Sequence, residues 1–131
     1  MVKKLPEEAK KTILLVEDED DMRLVYAEVL REVGYRVLEA ADGDAGLKRA
    51  LEDQWDLLLL DIMLPGSDGL HVLKYIKEND RLKTKPVILL TNLGSEPIIS
   101  EAFNSGADGY LIKSEITPDK IVAEVGNFLT K

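Results

Sequence analysis

The 131-residue chain has no cysteine. That excludes disulfides, zinc–thiolate centres and cysteine nucleophiles together. It has no apolar run of membrane-spanning length, and its start, MVKKLPEEAKK, lacks the apolar centre of a signal peptide. The cytoplasm is therefore the expected compartment. Basic charge is short: 17 Lys and Arg stand against 25 Asp and Glu, a net charge of −8. Phosphate backbones select basic faces, so this balance argues against nucleic-acid binding and suits a divalent cation or a basic protein partner. The one histidine, His71, falls in a helical stretch and is expected to be an ordinary surface or helix-boundary residue. What is present is a globular composition, 45% hydrophobic with 32% charged. The length suits one domain that buries roughly two-thirds of its unfolded surface.

After a polar lead-in over residues 1–11, short apolar runs alternate with amphipathic stretches. TILLV (12–16), RVLEA (36–40), DLLLLD (56–61), KPVILLT (85–91) and GYLIK (109–113) are strand candidates; the second alternates like an edge strand. Helical spacing of apolar residues is predicted over 20–33, 42–53, 70–79 and 97–105, and from Pro118 through Leu129. In the fourth helix Ile98, Ile99, Ala102 and Phe103 are expected to face inward. Strict alternation of strand and helix, with the first, third and fourth strands apolar on both faces, predicts a three-layer, doubly wound α/β domain on a parallel sheet.

In such sheets functional groups gather at the carboxyl ends of the strands. Here those ends carry Glu17 and Asp18, Asp61, Thr91 and Lys113. Three clustered carboxylates raise one another's pKa unless a cation sits among them. Hard oxygen donors without His or Cys point to Mg²⁺. Asp61 is then a plausible nucleophile toward a phosphoryl group, with Thr91 as a hydroxyl donor and Lys113 as a positive charge. The remaining acids of the LLVEDEDD run, Glu19, Asp20 and Asp21, are expected to serve the start of the next helix.

VEDE (16–19), LLLLDIMLPGSDGL (57–70), ILLT (88–91) and GADGYLIK (106–113), in this order and spacing, resemble the receiver domain of two-component response regulators of the single-domain, chemotaxis type. The resemblance covers essentially all of residues 12–130, makes 12–131 the expected domain, and implies a flavodoxin-like sheet of order 2-1-3-4-5 with five helices. It implies that Asp61 is the phosphoacceptor, that Asp18 and Asp61 ligate Mg²⁺ with Glu17 acting through water, and that the Met63 backbone carbonyl is a further ligand. Thr91 and Lys113 match the pair that contacts the phosphoryl group, and Tyr110 the switch aromatic that moves inward with Thr91. The implied partners are a histidine kinase or phosphotransfer protein and a downstream protein docking on the helix 4–strand 5–helix 5 face, with no direct nucleic-acid contact and no membrane insertion. A signalling switch rather than a stand-alone enzyme is expected.

Two positions depart from the commonest receiver pattern. Ser114 stands where proline usually follows the lysine, so a trans peptide is expected there, and Asn92 replaces a small residue after Thr91. Met63 and Leu93, expected to flank the hydrolytic water, are both apolar, which predicts a long-lived phosphorylated form. Trp55, about 20 Å before Asp61 along an extended strand, is expected to report Mg²⁺ poorly. The last helix ends near residue 131, and with Met at residue 1 the expectation is a complete protein acting through protein contacts. The alternatives are a domain of a longer regulator or hybrid kinase, or an interaction module that phosphorylation no longer switches. A flavin carrier would want a Ser/Thr/Gly-rich phosphate loop where the acids stand. A phosphatase of the haloacid dehalogenase type would want an acid at Met63.

Overall fold

The computed structural model describes residues 10–64, 68–92 and 96–129, except for the Glu96 side chain. Five strands alternate with five helices: β1 (Thr12–Val16), α1 (Asp20–Glu32), β2 (Arg36–Ala40), α2 (Gly43–Glu52), β3 (Leu57–Asp61), α3 (Gly69–Glu78), β4 (Val87–Thr91), α4 (Glu96–Asn104), β5 (Gly109–Ile112) and α5 (Pro118–Leu129). All strand pairs are parallel and the order is β2-β1-β3-β4-β5. The alternating RVLEA strand is indeed at an edge. The three apolar strands are central, almost every residue of β1, β3 and β4 being buried.

A strand sends successive side chains to opposite faces, and two cores result. On one face Leu14, Val16, Leu58, Leu60, Val87 and Leu89 pack against α2, α3 and α4 through residues such as Ala50, Leu73, Ile76 and Ala102. On the other, Ile13, Leu15, Leu57, Leu59, Ile88 and Leu90 meet Tyr26, Ala27 and Leu30 of α1 and Ile121 and Val125 of α5. At about 25 cal/mol per Å² of apolar surface, burial on both faces dominates the stabilisation and fixes the register of each central strand.

Helix boundaries follow local chemistry. Asp42 caps α2 by accepting from the Ala45 N–H at 2.7 Å, and Asp68 caps α3 by accepting from the His71 N–H at 2.8 Å. Gly34, with φ of 109°, turns the chain out of α1, a conformation that side chains with a Cβ disfavour. Two expectations need correction. The acids do stand at the start of α1, Glu19 at the capping position and Asp20 and Asp21 in the first turn, but the expected side-chain cap is missing, and Asp20 instead pairs with Arg23 at 2.7 Å. Phe103 does not face the core. Exposed, it lies edge-on to the half-exposed Tyr110, ring centroids 5.9 Å apart, because Ala102 and Ile98 already fill the sheet-facing side of α4.

Candidate functional site

In the order β2-β1-β3-β4-β5 the connections change direction between β1 and β3, which opens a crevice at the carboxyl ends of those two strands. Glu17 prolongs β1, its N–H donating to the Ala40 carbonyl at 3.1 Å, and Asp61 ends β3. One carboxylate oxygen from each of Glu17, Asp18 and Asp61 lies within 4.8 Å of the others. Lys113, first residue of a short 3-10 turn after β5, reaches across the rim. Its Nζ donates to Asp61 Oδ2 at 2.7 Å, lies 2.8 Å from Glu17 Oε1 and 3.4 Å from Glu19 Oε1. The chain thus brings together groups 52 and 94 residues apart without a long loop.

The Asp61 carboxylate is oriented from both sides. Its Oδ1 accepts from the Met63 N–H at 2.9 Å while Oδ2 faces Lys113. Gly69 closes the strand end from below, its N–H donating to the Ile62 carbonyl at 3.1 Å. A Cβ there would stand 2.3 Å from the Asp61 carbonyl oxygen and 2.5 Å from Ile62 Cα, so only glycine allows α3 this close to the end of β3. Thr91 is buried at the end of β4, its hydroxyl donating to the Asn92 carbonyl at 3.2 Å. The Asn92 side chain is exposed rather than pressed into the site.

Burial dominates the electrostatics. It pushes the Glu17 carboxyl from its ordinary 4.5 up to about 7; Lys113 and the Glu19 N–H oppose the rise, and the charge of Asp61 adds to it. Asp61 is raised for the same first reason, with Lys113 and the Met63 N–H working against it. Lys113 shows the reverse balance: burial disfavours its charge, but the Asp61 and Glu17 carboxylates outweigh that and hold it protonated. Two buried carboxyls with lifted pKa values beside one ammonium leave a net deficit of positive charge. A hard divalent cation would fill it, and the all-oxygen donor set suits Mg²⁺. Glu17 Oε1 supports this fit: the oxygen is fully buried, and the one cation beside it, Lys113 Nζ at 2.8 Å, is shared with Asp61.

Three residues of the site escaped the sequence reading. Arg23 donates to the Glu17 carbonyl at 2.8 Å and ties the end of β1 to Asp20 and, at 3.4 Å, to Glu39. Glu19, assigned only to the helix start, turns its side chain toward Lys113. Tyr26 lies buried on the same sheet face. Only the apolar period of α1 was legible, and Arg23 and Tyr26 fall within it without a distinguishing motif. Among the described residues no peptide is cis, as Ser114 implied. Met63 is exposed beside Asp61, whereas Leu93 lies outside the described residues.

An acidic crevice at the switch point of a 2-1-3-4-5 parallel sheet, bridged by a lysine that follows the last strand, defines a doubly wound domain of the flavodoxin-like class. The chain belongs to the response regulator receiver domain family of two-component systems, whose family model matches residues 13–126. It is 36% identical over 119 residues to the transcriptional regulatory protein ResD of Bacillus subtilis, covering 91% of this chain and 48% of that protein. It is 41% identical over 102 residues to AfsQ1 of Streptomyces coelicolor, covering 78% and 44%. The chain therefore spans about half the length of the curated relatives it matches. Among solved structures it superposes on chemotaxis protein CheY4 of Vibrio cholerae with a TM-score of 0.86 at 27% identity, covering 92% of this chain and all of that one. It also matches the receiver domain of the sensor histidine kinase PA1611 of Pseudomonas aeruginosa, whose structure holds a magnesium ion in its active-site cleft (TM-score 0.85, 28% identity, 94% and 100% covered).

Proposed function

We propose that residues 12–131 are a phosphorylation-controlled switch in which Asp61 accepts a phosphoryl group. The observation that carries this is the contact of Lys113 Nζ with Asp61 Oδ2 at 2.7 Å, inside a cluster of three carboxylates. An Asp61 carboxylate oxygen attacks phosphorus, the bond to the donor breaks, and the leaving group departs with its electron pair. From a phosphohistidine that group is imidazole, which takes up a proton. Asp61 is held for attack by the Met63 N–H and Lys113, and Lys113 is placed to follow charge onto the phosphoryl oxygens. Thr91 can release its weak bond to Asn92 and donate to the same oxygens. Glu17, Asp18 and Asp61, with the Met63 carbonyl, would hold Mg²⁺, which when bound neutralises charge on the transferring group.

Two charge-assisted hydrogen bonds, from Thr91 and Lys113, contribute roughly 3–6 kcal/mol. Inverting a 1:99 equilibrium takes about 5.5 kcal/mol, so phosphorylation and a partner that prefers the active form act together. Tyr110, half-exposed against Phe103, is the aromatic that would turn inward with Thr91, and α4, β5 and α5 form the face offered to a downstream protein. A histidine kinase or phosphotransfer protein supplies the phosphoryl group in the cytoplasm. Residues 1–11 act as a polar extension.

The test is incubation with Mg²⁺ and acetyl phosphate, with Asp61→Asn as control. A phosphoryl mass increment in the wild type alone supports the reading. No increment, or an equal one in the variant, would leave an interaction module that phosphorylation does not switch. With apolar Met63 exposed beside Asp61 and unable to orient a water, the increment should decay slowly; rapid loss in purified protein would refute that expectation.

A further inference from the structure

Among the described residues, two buried side-chain polar atoms have no hydrogen-bond partner: Glu17 Oε1 and the Tyr26 hydroxyl. A buried polar group left unpaired costs free energy, so a buried hydroxyl without an acceptor, near a carboxylate oxygen held only by its ion pair with Lys113, calls for a physical account. They share a sheet face. Ile13, Leu15 and Tyr26 belong to the core on one face of the sheet, and Glu17 continues the same alternation past the end of β1. They also sense each other: burial pushes the Tyr26 hydroxyl up to about 12, the charge of Glu17 adds to the rise ahead of Glu19 and Asp61, and Lys113 opposes it. The ring has room to adjust, since a cavity of about 40 Å³ adjoins it beneath Ile116, Thr117 and Pro118.

The Glu17 carboxylate is secured at one oxygen only, Oε2 accepting from the Glu19 N–H at 3.0 Å. Its other oxygen depends on Lys113, which is committed at better geometry to Asp61. Once Lys113 follows charge onto a phosphoryl group on Asp61, Oε1 loses its cationic neighbour. A neutral donor is then needed to hold the carboxylate plane without competing for the cation.

We infer that Tyr26 is a positioning residue that donates its hydroxyl hydrogen to Glu17 Oε1, directly or through one water, and so fixes the carboxylate for cation binding. No bond is made or broken; the tyrosine keeps its proton throughout. The inference rests on the reading of Glu17, Asp18 and Asp61 as a Mg²⁺ site.

Tyr26→Phe keeps the ring and deletes the donor. Calorimetric Mg²⁺ titration of the purified chain should show a three- to tenfold weaker affinity in this variant. In a Glu17→Gln background the same substitution should change Mg²⁺ affinity by less than twofold, since the acceptor's charge is already gone. Unchanged affinity in the single variant, or an equal loss in both backgrounds, would overturn the inference. If Tyr26→Phe does not fold, the ¹³Cζ resonance of Tyr26 provides the second reading. It should move on adding Mg²⁺ to the wild type and stay fixed in Glu17→Gln; a resonance insensitive to Mg²⁺ in the wild type would sink the idea. A wild-type chain that binds no Mg²⁺ would instead overturn the site reading itself, and the inference with it.

Discussion

Glu17 illustrates how one residue can set both stability and ligand affinity. Its carboxyl titrates near 4.5 when exposed and near 7 in the fold, so the folded state prefers it protonated. As pH rises from about 4.5 to 7 the folded state loses stability, and the loss is complete above about 7. Glu17→Gln removes that penalty. Without Mg²⁺ the variant should be more stable than wild type by about 1–3 kcal/mol at pH 8, with the advantage vanishing toward pH 4.5. Thermal melts across this pH range would show it, and a variant less stable at pH 8 would contradict the burial argument. The acidic run divides equally sharply. Asp18 belongs to the carboxylate cluster, whereas Asp21 is an exposed first-turn residue of α1. Asp18→Ala should lower Mg²⁺ affinity at least tenfold and Asp21→Ala less than twofold, as calorimetry would resolve. Equal losses would mean that diffuse negative charge, not the cluster, attracts the ion.

Among the elements, the junction of β3 and α3 is the most constrained. Gly69→Ala places a methyl against the Asp61 and Ile62 backbone, with nothing flexible there to yield. A loss of about 2–4 kcal/mol is expected, with a falling phosphorylation rate as Asp61 is displaced. A denaturant melt matching wild type would show that α3 can shift at little cost. The amino-terminal end of the same strand behaves oppositely. Trp55 is buried there, its indole N–H donating to the Ala50 carbonyl at 3.0 Å and the Lys85 ammonium 4.9 Å from the ring centre. It lies at the far rim of the sheet from the carboxylates, so its fluorescence should change by only a few per cent at saturating Mg²⁺. A large saturable quench would mean that the ion's effect crosses the whole strand. The element order and the apolar faces of the central strands were legible because the 2.0 and 3.6 periods are local properties. The facing of Phe103 was not, because Ile98 and Ala102 compete with it for the same side of α4 and only packing decides.

At the scale of the whole molecule, a domain that gathers three carboxylates around one lysine is poised to gain stability from a cation. Binding to the folded state alone should add about 2.7 kcal/mol at Mg²⁺ concentrations a hundredfold above the dissociation constant. Calorimetry at pH 7.5 should therefore show an upward shift in Tm with Mg²⁺, and no shift in a chain carrying both Asp18→Ala and Asp61→Asn. The curated relatives extend to about twice this length.

The sequence by itself determined the fold class, because alternating apolar runs and amphipathic stretches admit few parallel-sheet arrangements. It also determined which polar residues end each strand, since those ends are fixed by where the apolar runs stop. Only the tertiary structure decided which oxygens Lys113 bridges, that Glu19 turns toward the site rather than capping its helix, and that the buried Tyr26 hydroxyl is left without a hydrogen-bond partner. Those outcomes depend on distances between side chains far apart in the chain and on the loss of water around them. No local pattern of residues encodes either.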